Sequence, residues 1–525
     1  MDTKALRQKI LDLAIRGKLV PQDPNDEPAS VLLERIRAEK QQMVKDGKLK
    51  PKDIKNDTVI FKDDDNLHYE KFSGGTVKCI EDEIPFDVPN NWEWVRIKTA
   101  CVINPRNSID DNTEVSFVPM ANIKEGYANK FISDIRVWKK VKKGYTHFAN
   151  NDIGIAKITP CFENKKSVVF SSLINGYGAG TTELYILRTI SSLVIPEYLL
   201  NFVKRDDFIA GGVLTFSGDV GQQRVTKDYV ANYLFTLPPL NEQQRILNAV
   251  HTATSLIESI EKANDNLIRD IDKTKAKILD LAIRGKLVPQ NPDDEPASVL
   301  LERIRAEKEE LIKQGKIKRD KKESIIFRGE DNSYYVRQDT HTESIDEQFI
   351  FELPDNWEWC SLLNIAKIEL GKTLDSAKNI GTNYPYLRSV NVRWNEVDLS
   401  DLKEMQFEPE ELDRYTVRQN DLLICEGGDV GRSCVWTDEK EILYQNALHR
   451  VRFYGGCNPF YFMYYMMYYE SRGIIKALCK GVTIKHLTGN VLSLIPFALP
   501  PIEEQDRIVK RLNRIFVLLD SIICD

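Results

Sequence analysis

The sequence predicts an α+β protein, with two mixed α/β domains separated by a pair of long antiparallel coiled-coil helices in a pseudo-two-fold circular repeat. Three observations lead to this prediction. They are a heptad pattern in the middle of the chain, a duplication of the sequence on either side of it, and half of a second helix at each terminus. The length of 525 residues is too great for one core and favours roughly two to four domains.

The central stretch, residues 241–284, has apolar side chains at the 4-3 spacing of a helix that packs lengthwise on another helix. At about 1.5 Å per residue the patterned part would extend over roughly 50 Å, about the length of fifteen base pairs of B-DNA. The apolar positions are Ile246, Val250, Ala253, Ile257, Ile260, Leu267, Ile271, Ile278 and Leu281.

Two sequence blocks occur twice. KILDLAIRGKLVPQ stands at 9–22 and 277–290, and DEPASVLLERIRAEK stands at 26–40 and 294–308. The first block predicts a helix that ends near its glycine. The second predicts a new helix with its aspartate as N-cap and its proline in the first turn. These residues are Gly17, Asp26 and Pro28 in the first copy, and Gly285, Asp294 and Pro296 in the second.

Both copies then continue in the same order. A charged connection is expected to form a solvated loop, and a short β pair is expected after it. The connections are 45–57 and 313–323, and the β pairs are 58–61 with 68–72 and 324–327 with 334–337.

Matching motifs open and close the variable part of each copy. PNNWEW at 89–94 and PDNWEW at 354–359 predict a turn followed by a strand. LPPLNEQQRI at 237–246 and LPPIEEQDRI at 499–508 predict the end of a strand and the start of a helix. The double proline stops the strand, and the glutamates are favourable at a helix N-terminus.

The repeat is circular. Residues 509–525 keep the 4-3 spacing but supply only the front half of a long helix, and Leu6, Ile10 and Leu13 continue the same frame at the N-terminus. Joining the termini in space would complete a second long helix. The chain then divides into a helical segment (1–45), a connection with a β pair (46–84), a first head (85–237), the central helix with a helical repeat (238–312), a second connection (313–348), a second head (349–499) and a C-terminal helix (500–525).

The composition narrows the class of protein. A net charge of -6 excludes a globally basic DNA-coating protein but permits local basic patches. No apolar run reaches the ~20 residues of a membrane span, and residues 1–16 have the pattern of a charged amphipathic helix and not of a signal peptide. The nine cysteines are scattered without a CxxC pair, which predicts reduced thiols in the cytoplasm and no zinc site.

The sequence contains no complete catalytic motif. Residues 366–373 end in Gly-Lys-Thr but have Ala366 where a phosphate-binding loop requires glycine, so we interpret them as a turn. NPFY at 458–461 is similar to a motif of amino-methyltransferases but lacks the second proline, and a helix start is the better interpretation. The aromatic run at 460–469 is typical of a helix core. We therefore expect neither catalytic residues nor a metal site.

The opening motif, the closing motif, the repeated ILDLAIRGKLVPQ and the circular half-helix arrangement resemble the specificity subunit of type I restriction–modification systems. NDIGIAKITPCFENKK at 151–166 is similar to a strand-and-loop motif of the target recognition domains in that family. The resemblance covers nearly the whole chain, and the combination of motifs is specific.

The resemblance implies a non-catalytic, DNA-binding subunit of a bacterial defence system. Each head would be a target recognition domain that reads one half of a bipartite, asymmetric site in double-stranded DNA, and the helices would set the spacer. The implied partners are two modification (adenine methyltransferase) subunits and two restriction (translocase and nuclease) subunits. S-adenosylmethionine, ATP and magnesium would be held by those partners, and no cofactor by this chain.

Three polar stretches of the first head are candidates for DNA contact. Dense basic residues interleaved with aromatic ones are suited to phosphates, and Lys, Asn and Glu match the donors and acceptors of base edges. The alternatives are a solvated charged loop and a polar cap on the closing strand. The candidates are Arg136, Lys139, Lys140, Lys142 and Lys143; Lys157, Thr159, Asn164, Lys165 and Lys166, beside Glu163; and Gln222, Gln223 and Arg224.

The candidates in the second head come from matching positions. One group flanks two valines in an expected alternating strand, a second lies in a glycine-rich loop that matches 157–166, and a third precedes the closing strand. These groups are Arg388, Asn391 and Arg393; Asp429 and Arg432; and Lys480, Lys485 and His486.

A second hypothesis from another class is a two-headed protein-interaction scaffold with no role in nucleic-acid binding. The acidic isoelectric point of about 5.8 favours it slightly. The basic loops at matched positions of the two heads favour DNA binding instead. The sequence identifies neither the target bases nor the spacer length.

Overall fold

The computed structural model describes residues 2–190, 193–219, 221–319, 324–338, 340–345, 351–375, 379–479 and 486–524. The chain divides into two compact units, Met1–Ala263 and Asn264–Asp525. The predicted boundaries of the two heads stay predictions, since the division between the units falls inside the central helix.

The first unit combines helices with several small sheets. Its helices are α1 (Thr3–Ile15), α2 (Ala29–Lys45), α3 (Pro51–Ile54), α4 (Ile97–Ala100), α5 (Trp138–Val141), α6 (Pro196–Val203), α7 (Asp206–Val213), α8 (Lys227–Asn232) and the first part of α9 (Leu240–Ile283). Its strands are β1 (Thr58–Lys62), β2 (His68–Phe72), β3 (Val77–Cys79), β4 (Glu93–Arg96), β5 (Cys101–Ile103), β6 (Glu114–Val118), β7 (Asp134–Val137), β8 (Thr146–Ala149), β9 (Ile153–Ala156), β10 (Ser167–Val169), β11 (Tyr177–Gly180), β12 (Leu184–Thr189) and β13 (Leu234–Leu237).

The second unit repeats this order of elements. Its helices are the rest of α9, then α10 (Ala297–Lys313), α11 (Leu362–Ile365), α12 (Leu412–Tyr415), α13 (Pro459–Ser471), α14 (Ile474–Leu478), α15 (Gly489–Leu494) and α16 (Ile502–Cys524). Its strands are β14 (Ser324–Arg328), β15 (Tyr334–Gln338), β16 (His341–Ser344), β17 (Glu358–Ser361), β18 (Ala366–Leu370), β19 (Thr382–Leu387), β20 (Val392–Arg393), β21 (Glu396–Val397), β22 (Lys403–Phe407), β23 (Thr416–Val417), β24 (Leu422–Cys425), β25 (Ser433–Val435), β26 (Ile442–Tyr444), β27 (Leu448–Phe453) and β28 (Pro496–Leu499).

The two heads have the same strand order. The first contains the sheets β10-β9-β12-β5 and β7-β6-β11-β8, and the second contains β25-β24-β27-β18 and β22-β19-β26-β23. In each head the strands pair antiparallel except for one central parallel pair, β6 with β11 and β19 with β26. The duplication predicted from the scaffold sequence therefore extends into the heads, although their sequences match poorly.

The predicted long helix is confirmed, because α9 is one helix of 44 residues. In the first unit α1 runs antiparallel to the first part of α9. Arg7 forms an ion pair with Glu261 at 2.9 Å, and Leu11 lies in the same hydrophobic core as Ile246. In the second unit α16 runs antiparallel to the end of α9, where Lys275 forms an ion pair with Asp520. Each terminus therefore supplies a partner for one part of α9, as the circular repeat predicts.

The apolar seam of α9 is buried only in part. Ile246, Ile257 and Ile271 are buried as predicted, but Ile260 and Leu267 are exposed. Leu279, rather than Ile278, is the more buried position near the end. The heptad pattern predicts an apolar partner along the whole helix, whereas Leu256, Ile260 and Leu267 near its middle are exposed in the described structure.

The tryptophan of each opening motif bonds to a glutamate of the closing motif, and the last residue of the repeated block bonds to the same glutamate. Trp92 Nε1 donates to Glu242 at 2.9 Å, and Gln22 donates to the other carboxylate oxygen at 2.5 Å. In the second unit Trp357 donates to Glu504 at 2.9 Å, and Gln290 donates to the other carboxylate oxygen of Glu504 at 2.6 Å. Burial raises the pKa of both glutamates, and the hydrogen bonds from the tryptophans oppose that shift. We call each of these clusters a Trp–Glu–Gln contact.

The glycine at the end of each repeated block is required by its backbone conformation. Gly17 and Gly285 both have a φ of +66°, as expected for a residue that closes a helix. A Cβ atom on Gly285 would lie 2.4 Å from Pro354, and one on Gly17 would lie 2.5 Å from Pro89. The predicted helix ends are confirmed, and they pack directly on the prolines of the opening motifs.

Several local expectations were wrong. Asp26 and Asp294 are not N-caps, because α2 and α10 begin after Pro28 and Pro296 without a side-chain cap. Asp26 is instead buried against Arg245 at 2.6 Å, and this ion pair holds the pKa of Asp26 below its usual value. The connection at 45–57 contains the short helix α3, and β3 and β16 each add a third strand to a predicted pair.

The aromatic run is helix core, as predicted. It forms α13, whose tyrosines at 461, 464, 465, 468 and 469 are all buried. Both NPFY and its counterpart in the first head begin a helix, with Pro459 and Pro196 in the first turn. Tyr461 donates from its hydroxyl to the carbonyl of Ala498 at 2.8 Å, which ties α13 to the closing strand β28.

Candidate nucleic-acid interface

In the first head, the loop after β9 is held between two other segments of the chain. The N–H of Lys157 donates to the carbonyl of Glu183 at 3.0 Å, and the N–H of Thr159 donates to the carbonyl of Gln223 at 2.9 Å. The N–H of Val225 returns a hydrogen bond to Lys157 at 2.9 Å. The structure therefore brings together the predicted loop at 157–166 and the predicted stretch at 222–224.

Some of the charged side chains in this region pair with one another. Arg224 donates to both carboxylate oxygens of Glu183, at 2.9 and 3.0 Å, and these hydrogen bonds lower the pKa of Glu183. Lys157 has no carboxylate partner among the described residues and lies 5.4 Å from the ring of Tyr185. Thr159 donates to Glu163 at 2.5 Å, while the other, buried oxygen of Glu163 lacks a partner in the described part of the chain.

Lys165 does not face the surface, which corrects the prediction for this residue. Its φ of +56° turns the side chain inward, where it is buried and donates to Tyr127 at 3.0 Å and to Asp206. Lys166 points to the carbonyl of Met120 at 3.5 Å, and Asn164 is exposed. A loop position in the sequence does not fix the direction of a side chain, because that direction depends on one backbone torsion.

The basic stretch at 136–143 lies at the other end of its sheet. The N–H of Thr181, in the segment that leads to Glu183, donates to Val118 at one end of β6, whereas Glu114 at the other end pairs with Val137, just before α5. The two candidate groups of the first head are therefore separate patches. Lys139, Lys140 and Lys143 are exposed, Arg136 lies 4.1 Å from the ring of Phe117, and Lys142 is paired with Asp111 at 2.7 Å.

The second head holds its loop with the same backbone hydrogen bonds. The N–H of Glu426 donates to Ala447 at 2.9 Å, as Lys157 does to Glu183, and the N–H of Leu487 donates back to Glu426 at 2.9 Å. His486 is thereby equivalent to Arg224, and the loop that contains Asp429 and Arg432 is equivalent to 157–166. The position matching made from the sequence is confirmed at these residues.

The candidate arginines of the second head form ion pairs with carboxylates or hydrogen bonds to backbone carbonyls. Arg432 pairs with Asp429 and donates to the carbonyl of Ser389 at 2.9 Å. Arg388 pairs with Asp401 at 2.8 Å, and Arg393 with Asp398 at 2.8 Å. Hydrogen bonds from Ser400 and Arg393 lower the pKa of Asp398 to about 2, so this carboxylate stays charged.

Asn391 is a second correction. Residues Ser389–Asn391 form a 3-10 turn and not an alternating strand, and Asn391 is buried with its amide donating to Asp398 and Asp401. It supports the turn and is not available to DNA. Lys480 and Lys485 lie outside the described residues. The remaining candidate residues stay predictions.

Two kinds of residue were missed. Glu183 supplies the carboxylate that holds Arg224. The turns Met120–Asn122 and Ser389–Asn391 each present one exposed side chain, that of Ala121 or Val390. Both turns end in an asparagine followed by a buried β-branched residue, Ile123 or Val392. This shared pattern is the sequence signal that could have indicated the two turns.

An internal ion pair supports the strand beneath each loop. Arg188 contacts Asp152 at 2.7 Å in the first head, and Arg452 contacts Asp421 at 2.6 Å in the second. Both aspartates are buried and follow an asparagine with a positive φ, 70° at Asn151 and 69° at Asn420. The matched Asn-Asp pairs seen in the sequence thus mark equivalent turns.

Residues 89–269 and 354–522 match the family model described as the type I restriction modification DNA specificity domain. The chain belongs to this family. The two matches contain the interfaces described above, one in each unit. The chain is thus a specificity subunit of a type I restriction–modification system with two DNA-specificity domains, and the family match does not support the scaffold alternative.

Known specificity subunits are similar over almost their full length. The EcoAI specificity subunit of Escherichia coli is 34% identical, over 98% of this chain and 88% of that protein. The EcoEI specificity subunit of Escherichia coli is 33% identical, over 99% and 90%. A solved structure concerned with complex assembly and conformational transition of the type I system has a TM-score of 0.55 at 18% identity, over 84% of this chain and 93% of that chain, which supports the fold.

The described part of this specificity subunit also bears on two expectations from composition. No helix in it has the length and apolar character needed to cross a bilayer. Its His, Cys, Asp and Glu side chains form no cluster of three or more that is arranged to hold a metal ion.

Proposed function

We propose that each head of this specificity subunit reads one half of a bipartite, asymmetric site in double-stranded DNA. The observation that carries the proposal is that the heads share one backbone frame but present different side chains from it. Lys157 and Glu426 occupy equivalent positions, as do Arg224 and His486. Lysine and arginine donate to guanine, whereas glutamate accepts from cytosine, so the two heads are suited to different bases.

The helices are suited to set the distance between the half-sites and to receive the catalytic partners. The 44-residue α9 has a length of about 66 Å at 1.5 Å per residue. Apolar side chains remain exposed on it and on α16, including Leu256 at 62% and Val517 at 69%. We assign these surfaces to two modification subunits, because exposed apolar patches on helices are typical of permanent subunit contacts.

In this scheme the chain itself carries out no catalysis. Two modification subunits methylate adenine with S-adenosylmethionine, and two restriction subunits use ATP and magnesium to translocate and cleave DNA. The cytoplasm is the proposed location, since the described cysteines are free thiols and the DNA substrate lies in that compartment.

The test is a methylome of cells that express the chain with its modification partner. We expect a bipartite motif with methylated adenine and an unspecified spacer. Replacing residues 85–237 with the first head of a relative should change one half of the motif only, and replacing residues 349–499 should change the other. A motif that changes in both halves, or in neither, would contradict the assignment of one head to one half-site.

The basic stretch of the first head should set part of the salt dependence of binding. A triple variant with Lys139→Ala, Lys140→Ala and Lys143→Ala is expected to reduce the slope of log K against log salt concentration by roughly 2 to 3, because each phosphate contact contributes about 0.9. Binding should weaken about equally for cognate and unrelated duplexes. Fluorescence anisotropy of the complex with its modification subunits, across a salt series, measures both quantities.

A matched control replaces three other exposed lysines of the same unit, Lys45, Lys62 and Lys71, which lie outside the head. We expect this control to leave the slope within about 0.5 of the parent, since it removes no phosphate contact. Equal slopes for both triple variants would show that Lys139, Lys140 and Lys143 make no phosphate contacts.

A further inference from the structure

Each head carries a short turn beside the loop that follows β9 or β24, and the middle side chain of the turn is exposed. The turns are Met120–Asn122 and Ser389–Asn391, and each follows the strand that has a parallel neighbour. The side chain of Lys166 is directed to the carbonyl of Met120, and that of Arg432 to the carbonyl of Ser389. The two turns are therefore equivalent parts of the two interfaces, held by equivalent cations.

The turn of the second head is fixed from both sides. The Asn391 side chain accepts from the N–H of Arg388 at 2.9 Å and donates to the carbonyls of Asp398 at 2.9 Å and Asp401 at 3.1 Å. Arg432 holds the carbonyl of Ser389 at 2.9 Å. Val390, between these anchored residues, is 58% exposed. The backbone thus presents an apolar side chain to solvent in a fixed position.

The surroundings of Val390 are strongly polar. Arg388, Arg393 and Arg432 lie in the same turn, the strand after it and the neighbouring loop, and each is oriented by a carboxylate. Among the edges of the bases in the major groove, the C5 methyl of thymine is the one apolar group. A rigid valine among oriented arginines is therefore suited to contact that methyl while the arginines bind nearby acceptors.

We propose that Val390 is a specificity-determining residue that packs on the C5 methyl of a thymine in the half-site read by the second head. The inference rests on the proposed function. The equivalent residue of the first head is Ala121, which is also exposed but presents a smaller surface. The two heads would therefore differ in the strength of this apolar contact as well as in their charged groups.

The test uses the complex of the full chain with its modification subunits and duplexes of the motif found in the methylome. Each thymine of the second half-site is replaced singly by deoxyuridine, which removes only the methyl group. A second half-site without any A·T pair would itself overturn the proposal. For the parent we expect one replacement to weaken binding about fourfold, the value of one buried methyl group.

The variant Val390→Ala should bind the duplex without deoxyuridine about fourfold more weakly than the parent does, and it should lose its sensitivity to that one replacement. Its response to replacements in the first half-site should be unchanged. Val299→Ala is the matched control, since Val299 is 44% exposed on α10 of the same unit. It should keep the sensitivity of the parent.

Two further outcomes would overturn the proposal. One is a Val390→Ala complex that retains the same response to deoxyuridine at every position, and the other is a parent complex that responds at none. Failure of the proposed function is distinguishable from both, because the parent would then bind cognate and scrambled duplexes equally at the same salt concentration.

Discussion

Replacing Trp357 with alanine is expected to lower the free energy of unfolding of the second unit by about 3–5 kcal/mol. The side chain is buried and packs against Tyr461. Its loss would leave a cavity and remove the N–H that donates to the buried carboxylate of Glu504 at 2.9 Å. An unpartnered buried acceptor adds to the cost of the cavity. Urea denaturation, with hydrogen exchange to resolve the units, measures the change.

The duplication supplies the control for this prediction. Trp92→Ala removes the equivalent contact with Glu242 and should lower protection in the β9 and β12 strands, but not in β24 and β27. Trp357→Phe keeps most of the packing and loses only the hydrogen bond, so it should cost about 1–3 kcal/mol. A loss below about 1 kcal/mol for Trp357→Ala would contradict the assigned role of the Trp–Glu–Gln contact.

Replacing Arg452 with methionine should destabilise the second head by about 3–5 kcal/mol, because it leaves a buried carboxylate without its ion-pair partner. Asp421 is 1% exposed and lies directly before β24, the strand that leads into the loop of Arg432. We therefore also expect methylation at the motif of the complex to fall. Thermal unfolding and methylation assays of the complex measure the two effects.

A double-mutant cycle separates the ion pair from packing. Asp421→Asn combined with Arg452→Met should recover much of the loss, since the uncompensated charge is removed. Strictly additive effects would show that the charge of Asp421 is not the cause.

The first head offers a pH test of the same contact. Burial raises the pKa of Asp152, and the hydrogen bonds from Arg188 oppose that rise. A carboxyl whose folded pKa is raised stabilises the fold at low pH and loses that contribution as the pH rises through the folded pKa. Arg188→Met removes the hydrogen bonds that oppose the rise in the pKa of Asp152. It should therefore be more destabilising at neutral pH than at acid pH, as measured by urea denaturation across pH.

The scaffold could be predicted from the sequence because its signals are periodic and repeated. The 4-3 spacing in α9 and the double prolines before α9 and α16 each indicate one local structure, and the second copy repeats the indication. The opening motifs likewise start strands at β4 and β17. Such features depend on the local sequence, which one chain supplies in full.

The failures concern single side chains whose direction depends on distant partners. Lys165 turns inward because of one positive φ, and Asn391 is buried because it binds the carbonyls of Asp398 and Asp401. Asp26 leaves the helix terminus for Arg245, which is more than two hundred residues away in the chain. No periodicity predicts these contacts, whereas matching the two heads did locate Arg432 and His486 correctly beside their loop.

The duplicated Trp–Glu–Gln contact gives the chain two positions at which the base of a head is joined to a repeated block by the same side chains. A head moved from one position to the other would bring its own tryptophan and meet the same glutamate and glutamine at its base. A gene rearrangement that placed the same head at both positions should therefore still yield a folded protein. Such a rearrangement would change the DNA sequence that the protein reads while it left the contact at the base of each head unchanged.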